Sequence, residues 1–176
     1  RIYNGMVAPV APYPVKGIVW YQGEANTERP GEYRDLFPAM IDGWRQARQR
    51  PELPFYWVQL PNFIATPKND LAGLRDAQTS ALSLAHTGQA VTIDVGNPTD
   101  EHPLDKHTVA RRLALHALHN DYGHSDLVCQ SPRVTGVTRQ GDGTILVTCS
   151  VMTAMAISAD LPSLTPRASA TVSRPR

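Results

Sequence analysis

KGIVWYQGEAN, residues Lys16 to Asn26, joins an apolar strand to a polar loop. Gly17, Ile18, Val19, Trp20 and Tyr21 form a nearly unbroken apolar run. Such a run is the signature of a strand covered on both faces in an α/β sheet. Gln22, Gly23, Glu24 and Asn26 follow at its carboxyl end, the edge where open parallel sheets bind ligands. A site is therefore expected at this strand-to-loop junction.

Outward from that junction, strand-like and helix-like segments alternate, which predicts a parallel sheet sandwiched by helices. The first strand is read as Gly17 to Gln22 and the first helix as Glu32 to Gln49. In that helix Leu36, Met40 and Trp44 recur every four residues, with Phe37 and Ile41 beside them. Pro38 costs an interior helix about 3 kcal/mol, so the first turn of the regular helix, or a kink, is its expected place. Phe55 to Leu60 reads as a second buried strand, followed by a proline-rich polar loop from Pro61 to Asn69. Leu71 to Leu84 has a 3.6-residue period through Leu71, Leu74, Ala77, Gln78, Ala81 and Leu82. Gln89 to Gly96 is the third strand, with Asp94 near its end. Pro103 then suits the first turn of a helix running to Asn120, with Val109, Leu113 and Ala117 inward. Val134 to Arg139 and Thr144 to Cys149 flank an Asp142-Gly143 turn and read as a hairpin. From Val151 onward Ala, Ser, Thr, Pro and Arg dominate without a period, which predicts a disordered tail.

Composition excludes several classes. Of the 176 residues, 41% are hydrophobic and 19% charged, and the formal charge is +1, enough for one domain with a moderate core. The seventeen basic and sixteen acidic residues are interspersed, without the basic stripe that nucleic acid binding requires. No apolar stretch of about 18 residues is present to span a bilayer, and the first residues do not form a signal peptide. Because the first residue is Arg1 rather than Met, the sequence is expected to be a piece of a longer protein. Cys129 and Cys149 match no zinc spacing and are read as buried free thiols.

The second informative segment is Thr99-Asp100-Glu101-His102-Pro103. A carboxylate two residues before a histidine can hold its Nδ1 proton while Nε2 faces a substrate as general base. The plain alternative makes Asp100 a helix cap and His102 a surface residue. This loop and the Gln22 loop both follow predicted strands, so both lie on one rim of the sheet. One supplies amides and a carboxylate, the other an imidazole. Metal binding fits less well: His102 and His107 lie off a common helix face, and His116 and His119, three apart, lack a third ligand. His116, His119 and His124 are read as helix-surface or helix-end residues. Trp44 and Trp57 belong to the core, and Trp20 to the border of the cleft.

YNGMVAP at Tyr3 to Pro9, KGIVWYQGEAN, YRDLFPAMIDGWR, LPFYWVQLPN, LRDAQTSAL and AVTIDVGNPTDEHPLDKHTVARRLAL together resemble the sialate O-acetylesterases, carbohydrate esterases of the SGNH hydrolase superfamily. The resemblance runs from about Tyr3 to Val147. It implies a flavodoxin-like three-layer α/β/α sandwich with a parallel sheet, incomplete at its N-terminus, over residues 1–128. A short β-hairpin at 129–150 and a disordered tail at 151–176 complete the expected organisation. It also implies removal of acetyl groups from sialic acid or related sugars by a Ser-His-Asp/Glu acyl-enzyme mechanism, without a metal or other cofactor. The implied general base is His102, and the implied acid is Asp100 or Glu24. Oxyanion and substrate contacts fall on Gln22 and Gly23, with Asn26 on the substrate side. The implied partner is an acetylated sugar, and the implied location is periplasmic or extracellular.

One element of the pattern is missing. The family carries its serine in a Gly-Gln-Ser-Asn type turn near the start of the catalytic domain, and this sequence contains neither that turn nor a G-x-S-x-G. Ser80, Ser83, Ser125 and Ser131 are poor substitutes, the first two inside a predicted helix. The chain is thus read as the non-nucleophile part of an esterase. The alternative is a non-catalytic sugar-binding or structural module.

Overall fold

Side chains along Phe55-Tyr56-Trp57-Val58-Gln59 alternate between two covered faces, and this strand is the centre of the sheet. In the computed structural model, which describes residues 3–150 except 65 and 67, β1 (Ile18–Trp20), β2 (Phe55–Gln59) and β3 (Thr87–Val91) pair in parallel in the order β1-β2-β3. The crossovers are α1 (Pro30–Ala47) and α2 (Leu71–Ser80), and α3 (Lys106–Asp121) follows β3. The helices α1 and α2 share one face, where Phe37 meets Trp57 edge-on at 5.1 Å and Leu74, Ala77 and Ala81 close the cluster. On the other face α3 lies over β2 and β3, with His116 stacked on Tyr56 at 5.6 Å. This makes a three-layer α/β/α arrangement. An antiparallel hairpin, β4 (Val134–Arg139) and β5 (Ile145–Cys149), follows as expected. The expected tail from Val151 lies outside the described residues.

Several expectations are corrected. The first strand is covered on one face only: Ile18 and Trp20 pack on the core, but Val19 is 66% exposed. The reason is that α3 sits over β2 and β3 and leaves the outer face of β1 open. Pro38 is not in the first turn; Pro30 opens α1, and Pro38 stands in its middle. The inner line of α1 is Tyr33, Phe37, Ile41 and Arg45, whereas Leu36 is 56% exposed. Arg45 is tolerated inside because its guanidinium donates to the carbonyls of Leu53, Ala85 and His86 at 3.1, 2.7 and 3.3 Å, which satisfies a charge that burial otherwise penalises. The third strand begins and ends earlier than read, leaving Asp94 in the following turn, where it holds Arg112 of α3 through two 2.6 Å hydrogen bonds. That pairing keeps the Asp94 carboxyl below its usual range.

Pro103 is buried in the loop before α3 rather than in its first turn, and Asp105 caps the helix by accepting from the Thr108 amide at 2.9 Å. His116 is not a surface residue. It is 2% exposed, and its Nε2 lies 3.0 Å from the Gln89 carbonyl. Gly88 makes room for it, since a Cβ there would come within 2.5 Å of the His116 ring. The cysteines are free but not buried: Cys129 is half-buried and Cys149 exposed.

Candidate functional site

At the carboxyl end of β1 the chain turns out of the sheet through Gly23, whose φ of +154° and crowded Cβ position explain the residue. A methyl there would meet Leu74 Cδ2 at 3.0 Å and Gln78 Nε2 at 3.3 Å, in a backbone region that L side chains rarely enter. Glu24–Asn26 then forms a single 3₁₀ turn. Two buried polar residues fix this turn from behind. Gln78 has no exposed surface; its amide nitrogen donates to the Gln22 and Val58 carbonyls at 3.3 and 3.2 Å, and its oxygen accepts from the Leu60 amide at 3.0 Å. It thereby ties the ends of β1 and β2 together. Thr27 donates to the Glu24 carbonyl at 2.7 Å, accepts from Asn69 at 2.6 Å, and its carbonyl receives the Asp70 amide at 2.8 Å. Within the turn, the Gln22 side-chain amide donates to Asn26 Oδ1 at 3.1 Å.

The loop after β3 reaches the same place. Tyr21, Gln22, Glu24 and Ala25 line one wall of an open cleft of about 500 Å³, and Glu101, His102 and Lys106 line the other. The two segments, nearly eighty positions apart in sequence, therefore meet at one rim of the sheet. Asp100 Oδ1 accepts from the His102 backbone amide at 2.8 Å and lies 3.4 Å from His102 Nδ1. The pair is exposed and the Nδ1 contact is longer than a strong hydrogen bond, but its direction leaves Nε2 free for a substrate. A smaller recess of about 70 Å³ opens beside the cleft between Leu60, Pro61, Phe63 and Leu71, sharing Glu24 and Glu101 with it.

Gln22, Glu24 and His102 line the cleft directly, Asp100 stands behind His102, and Gly23 and Asn26 shape the turn. Trp20 packs against the core instead of bordering the cleft, and the neighbouring Tyr21 takes that place. Burial, and secondarily the Glu24 charge, push the Tyr21 hydroxyl pKa upward. No serine or cysteine is among the described residues lining the cleft. Ser80 donates to the Ala77 carbonyl within α2, and Ser131 lines a separate cavity beside β3. No cluster of three potential metal ligands occurs among the described residues. Sequence reading gave Thr27 and Lys106 no part in the site, quoted Glu101 in its segment without a role, and treated Gln78 as part of an apolar stripe. The available signal was Gln78 itself, an amide at a position whose period demands an inward side chain.

Comparison with known proteins agrees with the fold. The family described as carbohydrate esterase, sialic acid-specific acetylesterase, matches residues 1–118. The sialate O-acetylesterase of Rattus norvegicus is 33% identical over 151 residues, covering 74% of this chain and 28% of that protein. The Homo sapiens sialate O-acetylesterase is 32% identical, with 74% and 29% covered. The chain thus spans under a third of the length of these relatives. A crystal structure of a carbohydrate acetylesterase from Xanthomonas citri superposes with a TM-score of 0.75 at 44% identity, covering 85% of this chain and 35% of that one. With two thirds of its residues matched by the family and a like fold in a solved relative, the chain belongs to the sialic acid-specific acetylesterase family of carbohydrate esterases.

Proposed function

We propose that this chain is the acid–base and substrate-binding part of a carbohydrate O-acetylesterase, acting on acetylated sialic acid or a related sugar, and that a serine from a segment outside this chain completes it. The observation that carries the reading is the convergence of Gln22 and Glu24 with His102 on one cleft. In the proposed reaction the serine Oγ attacks the acetyl carbonyl while His102 Nε2 takes its proton. The oxyanion collapses to release the sugar hydroxyl, which receives that proton from His102, and water then hydrolyses the acetyl-enzyme by the same base. Asp100 orients the imidazole through Nδ1, and the Gln22-Gly23 segment with Asn26 contacts the oxyanion or the sugar. Glu24 is the second candidate for the acid.

The test has two arms. The chain alone should hydrolyse p-nitrophenyl acetate no faster than buffer; robust turnover abolished by His102→Ala would reveal a nucleophile within the chain and overturn the division of the site. In a longer protein that supplies the serine, His102→Ala should lower kcat by about 10³-fold or more. There, a severe Asp100→Asn with a mild Glu24→Gln assigns the acid to Asp100, and the reverse pattern assigns it to Glu24.

A further inference from the structure

We propose that Lys106 makes the cleft selective for acidic sugars by pairing with a substrate carboxylate; this rests on the esterase reading of the cleft and narrows its substrate class. Lys106 is the one lysine, and no arginine is present, among the described residues lining the cleft. Its ammonium lies 4.7 Å from the centre of the Tyr21 ring on the opposite wall. The ring therefore holds it across the cleft by a cation–π contact. It takes part in none of the ion pairs among the described residues. The adjacent Asp105 carboxylate is already engaged with the Thr108 amide.

Its place in the chain is unfavourable for a merely structural lysine. Lys106 is the first residue of α3, where the positive end of the helix dipole disfavours a cation. The same two positive charges, side chain and helix end, add up for an incoming anion.

Glu24 and Glu101 line both the cleft and the small recess, whereas Tyr21 and Lys106 line the cleft alone. A neutral sugar gains only hydroxyl hydrogen bonds from the Lys106 ammonium. A sugar acid lying with its carboxylate at Lys106 gains a charge-assisted one.

The experiment is a titration of the chain, followed by NMR, with N-acetylneuraminic acid and separately with its methyl ester, which removes the charge. At low salt the acid should bind about fivefold more tightly than the ester, the scale of an exposed ion pair. Lys106→Gln should abolish the preference without weakening ester binding, Lys106→Arg should keep it, and added salt should shrink it. Equal binding of acid and ester, or equal weakening of both by Lys106→Gln, would overturn the role of Lys106 while leaving the sugar site standing. Binding of neither sugar would overturn the inference together with the esterase reading.

Discussion

Gln78 shows how a single residue sets the shape of this site. Its fully buried amide bonds three backbone groups at the ends of β1 and β2. Gln78→Leu would suit the apolar stripe in size and period, yet it takes the side-chain partner from the buried Leu60 amide and the Val58 carbonyl and leaves the Gln22 carbonyl to the Tyr33 hydroxyl. The expected cost is about 3 kcal/mol, measured as a lower urea midpoint; unchanged stability would mean the stripe reading was sufficient. Gly23→Ala combines an unfavourable φ with the 3.0 Å contact to Leu74. It should destabilise the chain by about 1–3 kcal/mol in the same assay. At this scale the sequence was readable for the polar residues that meet at the cleft, Gln22, Glu24 and His102 with Asp100 behind it. It was not readable where a polar side chain satisfies backbone groups that only the tertiary fold brings near, as at Gln78 and Thr27.

Among the elements, the strands and helices follow their periods, and the departures arise from packing. The stripe of α1 turned by one position, burying Tyr33 and Arg45 and exposing Leu36, because three loop carbonyls await the Arg45 guanidinium. No local pattern foretells that. Pro38 stands inside α1, where it removes one helical hydrogen bond. Pro38→Ala should raise stability by about 1 kcal/mol, read as an upward shift in the urea midpoint. A loss of stability would assign the proline a packing role.

In α3, His116 is held neutral chiefly by burial, which pushes its pKa below the ordinary imidazole value. Its Nε2 proton is donated to the Gln89 carbonyl, and Nδ1 has no partner among the described residues. With a folded pKa depressed relative to the unfolded chain, the unfolded state binds more protons between the two values. Stability is therefore full above about pH 6.5 and falls as pH is lowered through the folded pKa. Thermal melts at pH 7.5 and 5.5 should show this drop, and His116→Gln should flatten the part of it due to this residue. An unchanged pH dependence would contradict a buried neutral imidazole.

For the molecule as a whole, the alternating pattern and the Asp142-Gly143 turn were enough to anticipate a parallel three-strand sheet between helices and a following hairpin. The open outer face of β1 was not, because an apolar run reports hydrophobicity and not which neighbours arrive to cover it. What the fold contributes to function is a meeting place: β1 and β3 end on the same side, and each delivers one polar loop to the rim. The central claim is that these loops form one site, and the most direct measurement follows the backbone amides of the labelled chain by NMR during titration with an O-acetylated sugar. Residues 22–26 and 100–106 should shift together along a single binding curve. Shifts confined to one of the two segments, or following two different affinities, would contradict a shared site.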